Sequence, residues 1–136
     1  MSSKNIPDGF EKFIVDSPFD NHFGDIYTKE IDGRLVTGFL VSEQHLNVAG
    51  NLHGGAIASF ADWQVLAAKH QENITAHTPT INLSVDYLSP GLLGDWLESH
   101  VTLQKRTGRM LFTRTEIRRG EDIIARSNAI YSIRHS

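Results

Sequence analysis

The chain has 136 residues, 40% of them hydrophobic, which suffices for one domain with a buried core. Its formal net charge of -3 gives no general attraction to nucleic acid, and the lack of cysteine excludes disulfides, thiol catalysis and thiolate metal sites. No apolar run reaches the roughly 18 residues of a membrane span, and the first five residues lack the hydrophobic region of a signal peptide. We therefore expect a single domain over residues 1–136 that is cytoplasmic and binds neither nucleic acid nor membrane.

The N-terminal part contains a predicted short helix followed by a β-hairpin. Residues 8–17 carry apolar side chains on one helical face, and Pro18 directly after them predicts the end of this helix. Two strand-like runs follow at residues 26–31 and 34–41, and the Asp32-Gly33 dipeptide between them is typical of a tight hairpin turn.

A central helix and four further strands are predicted next. Residues 56–69 are mostly strong helix formers without proline, which predicts one long central helix. The four strand-like runs after it are residues 80–88, 96–105, 110–118 and 123–133, with turns at Pro90-Gly91, Thr107-Gly108 and Gly120-Glu121. Two strands, a helix and four strands predict an antiparallel sheet with a helix on one face, an α+β architecture.

Gly54 and Gly55 stand at the predicted start of the central helix. Backbone amides at a helix start have no intrahelical acceptors and carry the positive end of the helix dipole. Because these two residues have no side chains, a ligand oxygen can approach their amides closely. The pair therefore suits an oxyanion site.

Asp62 lies eight residues beyond Gly54 in the same predicted helix, among mostly apolar neighbours. The sequence alone leaves open whether this acid faces solvent, pairs with a base or takes part in chemistry. At about 1.5 Å per residue, Gly54 and Asp62 are about 12 Å apart, so one carbonyl group cannot touch both. If both act on one reacting centre, the helix must meet an antiparallel copy of itself. That arrangement predicts a two-fold homodimer with two shared sites.

The spaced motif Asn47-x-x-Gly50-x-x-His53-Gly54-Gly55 with Asp62, followed by the run 80–90 that ends in Ser-Pro, resembles the hotdog-fold acyl-CoA thioesterases of the phenylacetate-pathway type. The likeness covers roughly residues 34–133. It implies the hotdog fold, an antiparallel sheet wrapped around one long central helix, and hydrolysis of an acyl-CoA to free CoA and a carboxylic acid. CoA is then part of the substrate, with no separate cofactor. Dimers of this family often associate, so the resemblance also implies a dimer of dimers, a homotetramer.

The resemblance also implies roles for individual residues. The Gly54 amide polarises the thioester carbonyl, and Asp62 acts as nucleophile or as general base on water. Asn47 holds the carbonyl or the water, and Thr80 supports the acid or the water. His53 braces the glycine loop, with a role as base as the alternative. The other residues implied to contact the substrate are Gly55, Asn82, Tyr87, Ser89 and Gly91.

Three basic residues, Lys105, Arg106 and Arg109, flank the predicted turn at Thr107-Gly108. Side chains placed so close together can reach one anion, and arginine offers a bidentate fork to phosphate. In relatives this turn and the stretch matching residues 87–92 lie along the CoA moiety. We therefore assign the CoA phosphates to these three side chains.

Substrate identity and two rival functions remain open. The apolar residues that line an acyl or aryl pocket, or else belong to the core, are Phe60, Trp63, Leu66, Leu83 and Tyr87. The seven histidines have none of the spacings of zinc enzymes, so no metal site is expected. The rivals on the same fold are a hydratase or dehydratase, which relies on a histidine paired with an acid, and a non-catalytic module that binds acyl-CoA.

Overall fold

The computed structural model describes residues 6–134; residues 1–5, on which the signal-peptide expectation rests, and residues 135–136 lie outside the described part. The helices are α1 (Pro18–Phe23), α2 (Gly54–Asp62) and α3 (Val65–Glu72), and a 3-10 turn spans Glu43–His45. The strands are β1 (Glu11–Phe13), β2 (Ile26–Ile31), β3 (Arg34–Leu40), β4 (Thr80–Tyr87), β5 (Trp96–Arg106), β6 (Met110–Arg119) and β7 (Asp122–Ser132). Within residues 6–134, every helix is too short or too polar to cross a membrane.

The strands form one antiparallel sheet in the order β1-β2-β3-β5-β6-β7-β4. The β2–β3 hairpin closes at Asp32 and Gly33, both with positive φ (52° and 78°), which is why this dipeptide occupies the turn. Helices α2 and α3 pack against one face of the sheet. The α+β hotdog arrangement predicted from the sequence is therefore confirmed.

The core fills the space between the central helices and the inner face of the sheet. Along β6 the inward side chains of Leu111 and Ile117 are fully buried, whereas the alternating outward positions carry charged residues such as Arg114. Phe60 of α2 is fully buried against Phe39 of β3, with ring centroids 4.7 Å apart. This packing fixes which faces of the helices remain available for a ligand.

The N-terminal segment differs from the helix predicted over residues 8–17. Residues Glu11–Phe13 form strand β1, with Phe13 opposite Ile26, and helix α1 begins at Pro18. Proline fits the first turn of a helix because the amide it lacks has no intrahelical acceptor there. The predicted helix is therefore wrong, because Pro18 starts a helix instead of ending one and the preceding apolar residues extend the sheet.

The central helix is interrupted at Trp63 and Gln64, between α2 and α3. The Gln64 side chain is fully buried, and its Nε2 donates to the carbonyl of Phe60 at 2.8 Å. Its Oε1 accepts from the Thr37 hydroxyl at 2.9 Å, and that hydroxyl lies 2.8 Å from Ser99 Oγ. Buried polar groups need such partners, so the turn in the helix and the β3–β5 pair hold each other in place.

Replacing Gln64 with methionine should destabilise the protein by about 1–3 kcal/mol, because the Phe60 carbonyl then has no donor inside the core. The matched control is Gln71→Met, the same change at an exposed position of α3, which should stay within about 0.5 kcal/mol. Urea unfolding measures both. Equal unfolding free energies for the two variants would mean that the buried network does not stabilise the interruption.

Candidate active site

The amide of Gly54 is distinct among the first amides of α2. The Gly55 amide donates to His53 Nδ1 at 2.8 Å, and the amides of Ala56 and Ile57 donate to the His53 carbonyl at 3.0 and 3.2 Å. Among residues 6–134, the Gly54 amide has no acceptor. One donor at the positive end of the helix is thus left for a ligand.

His53 is the N-cap of α2 and not a free base. Because its Nδ1 accepts the Gly55 amide, a neutral ring carries its proton on Nε2. A Cβ on Gly55 would lie 2.9 Å from that same Nδ1, which explains the second glycine. The amide of Gly55 therefore does not point to a ligand as the sequence suggested, because the His53 ring already occupies it.

Asn47 organises the loop that leads to the glycines. Its side-chain Oδ1 accepts hydrogen bonds from the backbone amides of Ala49 and Asn51 at 3.0 and 3.1 Å. Its backbone amide donates to the Asn51 carbonyl at 2.7 Å. Gly50 has a φ of +84°, the backbone conformation that this tight loop requires. The side-chain oxygen of Asn47 is thus used within the loop, and its NH2 group is the part that can donate to a ligand.

The Asp62 carboxylate is held from the sheet. The Thr80 hydroxyl, at the start of β4, donates to Asp62 Oδ1 at 2.6 Å. The phenol of Tyr131 on β7 donates to the backbone carbonyl of Asp62 at 3.0 Å. Both contacts orient the last residue of α2, and they leave Oδ2 available for a reacting group. Sequence reasoning found Thr80 but missed Tyr131, whose inward position in β7 was the signal available.

Two separate clefts contain the two halves of the site. The glycine cleft, of about 400 Å³, is lined by Gly54, Tyr87, Ser89 and Gly91 together with Leu52, Ile57, Leu88 and Pro90. The acid cleft, of about 520 Å³, is lined by Asp62 and Thr80 together with residues of the N-terminal segment and α3. Four predicted substrate residues thus come together at one end of α2, and the acid and its hydroxyl partner come together at the other.

Tyr87 closes one side of the glycine cleft. Its hydroxyl donates to the Gly54 carbonyl at 2.9 Å, and its ring would lie 3.4 Å from a Cβ on Gly54. Gly91 accepts the Leu52 amide at 2.9 Å, and a Cβ on Gly91 would lie 2.7 Å from the Leu52 side chain. A side chain at Gly91 would therefore crowd the wall of the cleft, whereas a Cβ at Gly54 would only come into ordinary contact with Tyr87.

Asn82 does not join either cleft, although the sequence predicted that it contacts the substrate. A β-bulge lies between Thr80 and Asn82, so the usual alternation is broken there. Asn82 lies opposite Ile130 on the outer face, whereas Leu83 lies opposite the buried Ala129. Strict alternation would have placed Thr80 and Asn82 on one face, and the bulge is the reason that they are not.

The basic hairpin lies at the same end of the sheet as the acid. Arg106 pairs with Leu111, Leu111 with Tyr131, and Tyr131 with Thr80. The Arg106 guanidinium lies 3.3 Å from Glu72 Oε1 and is thus already neutralised in part. Lys105 and Arg109 are exposed and have no ion-pair partner among residues 6–134. Within one protomer, this hairpin and residues 87–92 lie at opposite ends of β4.

Over residues 6–134, no three His, Asp or Glu side chains gather in a way that could hold a metal ion.

Comparison with known proteins gives consistent matches. The sequence model of the thioesterase superfamily matches residues 49–125. A Pseudomonas aeruginosa protein that carries the name "Putative esterase" is 28% identical over 131 residues, which are 95% of this chain and 98% of that protein. Human acyl-coenzyme A thioesterase 13 is 29% identical over 87 residues, 62% of this chain and 61% of the human protein.

Solved structures share the fold. Zebrafish thioesterase superfamily member 2 superposes with a TM-score of 0.78 at 22% identity, over 88% of this chain and 89% of that one. A hypothetical thioesterase protein of Streptococcus pneumoniae, solved with coenzyme A, gives a TM-score of 0.73 at 19% identity, over 91% and 96% of the two chains. At these identities the likeness establishes the hotdog fold.

The Tyr131 phenol should remain protonated while the protein is folded, because burial and the nearby Asp62 charge raise its pKa. Since the unfolded phenol has its ordinary pKa near 10, this contribution to stability is complete below about pH 10 and is lost as the pH rises further. Alkaline titration of tyrosinate absorbance should therefore be the same for the wild type and Tyr131→Phe until unfolding. An additional tyrosinate in the folded wild type would contradict this assignment.

Proposed function

The chain belongs to the thioesterase superfamily, and we propose that it hydrolyses acyl-CoA thioesters to free CoA and a carboxylic acid. The observation that carries this proposal is the Asp62 carboxylate, which accepts the Thr80 hydroxyl at 2.6 Å and opens with it on a mainly apolar cleft. Two relatives support the choice of substrate: one is named an acyl-coenzyme A thioesterase, and another structure was solved with coenzyme A.

The chemistry proceeds through attack of an oxygen on the thioester carbonyl carbon. As general base, Asp62 takes a proton from water while the water oxygen bonds to that carbon; as nucleophile, its own oxygen attacks and water later hydrolyses the anhydride. In either route the Gly54 amide donates to the developing oxyanion. The carbon–sulfur bond then breaks, and CoA leaves as thiolate, which takes up a proton. The Asn47 NH2 group orients the carbonyl or the water.

The proposed active form is a homodimer with two shared sites. Helix α2 is unbroken from Gly54 to Asp62, so the two groups are about 12 Å apart along its axis. They also open on different clefts of one protomer. A single carbonyl can meet both groups only if Asp62 of one chain faces Gly54 of the partner subunit.

Strand β4 offers the edge through which two chains can meet in this way. Among residues 6–134 it is the last strand of the sheet and pairs only with β7, so its other side is a free edge. The side chain of its second residue, Ile81, is 55% exposed. Thr80, which bonds to Asp62, and Tyr87, which bonds to Gly54, mark its two ends. Antiparallel pairing of two β4 strands places Thr80 beside Tyr87 of the partner subunit. The acid half of each site then meets the glycine half of the other chain.

The same pairing explains how one CoA can contact both phosphate-binding candidates and residues 87–92. These lie at opposite ends of β4 within a chain, and a two-fold axis brings them to the same site. We assign the phosphates to Lys105 and Arg109 and discount Arg106, which already forms an ion pair with Glu72.

A hydratase is disfavoured because Nδ1 of His53 is occupied by the Gly55 amide. A non-catalytic module would bind acyl-CoA without releasing thiol. Binding of acyl-CoA and release of thiol are therefore measured on the same sample.

Asp62→Asn should retain the fold and the binding of acyl-CoA but lose about 10²–10⁴-fold in turnover, because an amide neither attacks the carbonyl nor accepts a proton. The amide oxygen can still accept from Thr80. Thiol release from a panel of acyl-CoA esters measures the loss. The control is Asp32→Asn in the β2–β3 turn, whose φ of 52° asparagine tolerates. Near wild-type turnover in Asp62→Asn would exclude the proposed acid.

Co-expression of Asp62→Asn with Gly54→Pro tests the shared site. Proline removes the Gly54 amide and suits the first helical position, so each variant alone should be inactive. About half of randomly formed dimers are mixed, with one intact site each, so activity should recover to about a quarter of wild type.

The control for Gly54→Pro is Gly54→Ala, which keeps the amide and adds a Cβ 3.4 Å from Tyr87. It should remain active when Gly54→Pro does not. Mass spectrometry establishes that mixed dimers are present. If mixed dimers form and release no thiol although Gly54→Pro is folded, the acid and the amide act within one subunit and the shared site is wrong.

A further inference from the structure

The acid cleft extends beyond Asp62 and Thr80 to a wall formed by the N-terminal segment. Resting on the proposed function, we propose that this cleft holds the acyl group, that Ile14 makes the enzyme prefer long apolar acyl chains over short ones, and that the acids around the cleft disfavour carboxylate-ended chains. Phe13, Ile14 and Val15 form this wall and line the cleft together with Trp63 and Leu66. An acyl chain attached to a carbonyl at Asp62 is therefore close to apolar side chains.

The N-terminal segment is fixed over the cleft at both of its ends. Phe13 pairs with Ile26 in the sheet. Beyond the wall, the indole Nε1 of Trp63 donates to Asp20 Oδ1 at 2.8 Å, and the Phe23 ring meets the Trp63 ring edge at a centroid distance of 4.5 Å. Trp63, which directly follows Asp62 in the chain, thus links the N-terminal segment to the reacting acid. A wall held in this way has a defined distance from Asp62, which a length-selective pocket requires.

Ile14 is the wall residue with most to gain from a ligand. Its side chain is 77% exposed although it faces an apolar cleft. Covering such a side chain with an alkyl or aryl group removes apolar surface from water on both partners. The cleft volume of about 520 Å³ also falls in the usual range of ligand pockets. The occupant favoured by these features is the apolar part of the substrate.

The charges around the cleft disfavour a second carboxylate on the acyl group. Asp16, Asp20 and Asp62 all line it, together with one histidine, His77. Asp20 is already bonded to Trp63. An acyl chain that ends in a carboxylate would bring a further negative charge into a cleft lined by three acids, so the cleft selects neutral chains.

The experiment compares kcat/KM for acetyl-, butyryl-, hexanoyl- and octanoyl-CoA in the wild type, Ile14→Asp and Phe19→Asp. Phe19 is a matched control, since it is 67% exposed in the same segment and lies outside the cleft lining. Wild type and Phe19→Asp should gain about four-fold per methylene that enters the cleft. In Ile14→Asp the loss should grow with length and be at least about ten-fold larger for octanoyl than for acetyl. Wild type should also prefer pentanoyl- over glutaryl-CoA by about ten-fold or more.

Binding of non-hydrolysable thioether analogues separates this proposal from the proposed function. Octyl-CoA thioether should bind the wild type more tightly than ethyl-CoA thioether, and Ile14→Asp should reduce that difference by about ten-fold or more, even if no ester is hydrolysed. An Ile14-dependent length effect in binding without any thiol release would leave the cleft in place and overturn the thioesterase. An unchanged length dependence in Ile14→Asp, an equal loss in Phe19→Asp, or equal rates for pentanoyl- and glutaryl-CoA would overturn the proposed selectivity.

Discussion

The interruption of the central helix at Trp63 and Gln64 is the constraint on which the site depends. Ending α2 at Asp62 leaves carbonyls of its last turn without the amides that would otherwise bond to them. Gln64 satisfies the Phe60 carbonyl, and the Tyr131 phenol satisfies that of Asp62. The backbone of the acid is thus fixed from the core, while Thr80 fixes its carboxylate. Without the interruption, the helix would continue past Asp62 and its carbonyl would bond within the helix.

The sequence was sufficient where structure follows from local signals. Asp32-Gly33 predicted the hairpin, and the residues after Gly55 predicted a helix that starts at the glycines, because turns and caps depend on neighbours in the chain. The interruption had no such signal, since neither glycine nor proline occurs at positions 63 and 64. The interruption follows from contacts between residues far apart in the chain. Thr37 is 27 residues from its partner Gln64, and Tyr131 is 69 residues from its partner Asp62. Distant contacts of this kind cannot be read from periodicity.

Two details of the candidate site differ from what the sequence predicted. Both glycines at the helix start were expected to face a ligand, but the identity of the capping side chain decides which amide remains available, and here His53 takes that of Gly55. The resemblance implied that Asn82 contacts the substrate, but the bulge between Thr80 and Asn82 turns Asn82 to the outer face. The first difference comes from a capping bond between residues two apart in the chain, and the second from the pairing of β4 with the distant strand β7.

The Gly54 donor belongs to the main chain, and this has a consequence for how the protein can vary. Every amino acid except proline supplies the same amide, so substitution there can narrow the cleft at Tyr87 but cannot change the chemical nature of the donor. The acid end is different, because its carboxylate, its hydroxyl partner and its apolar wall are all side chains. Descendants of this chain can therefore diverge in substrate range at the acid cleft while the Gly54 amide donor is inherited unchanged.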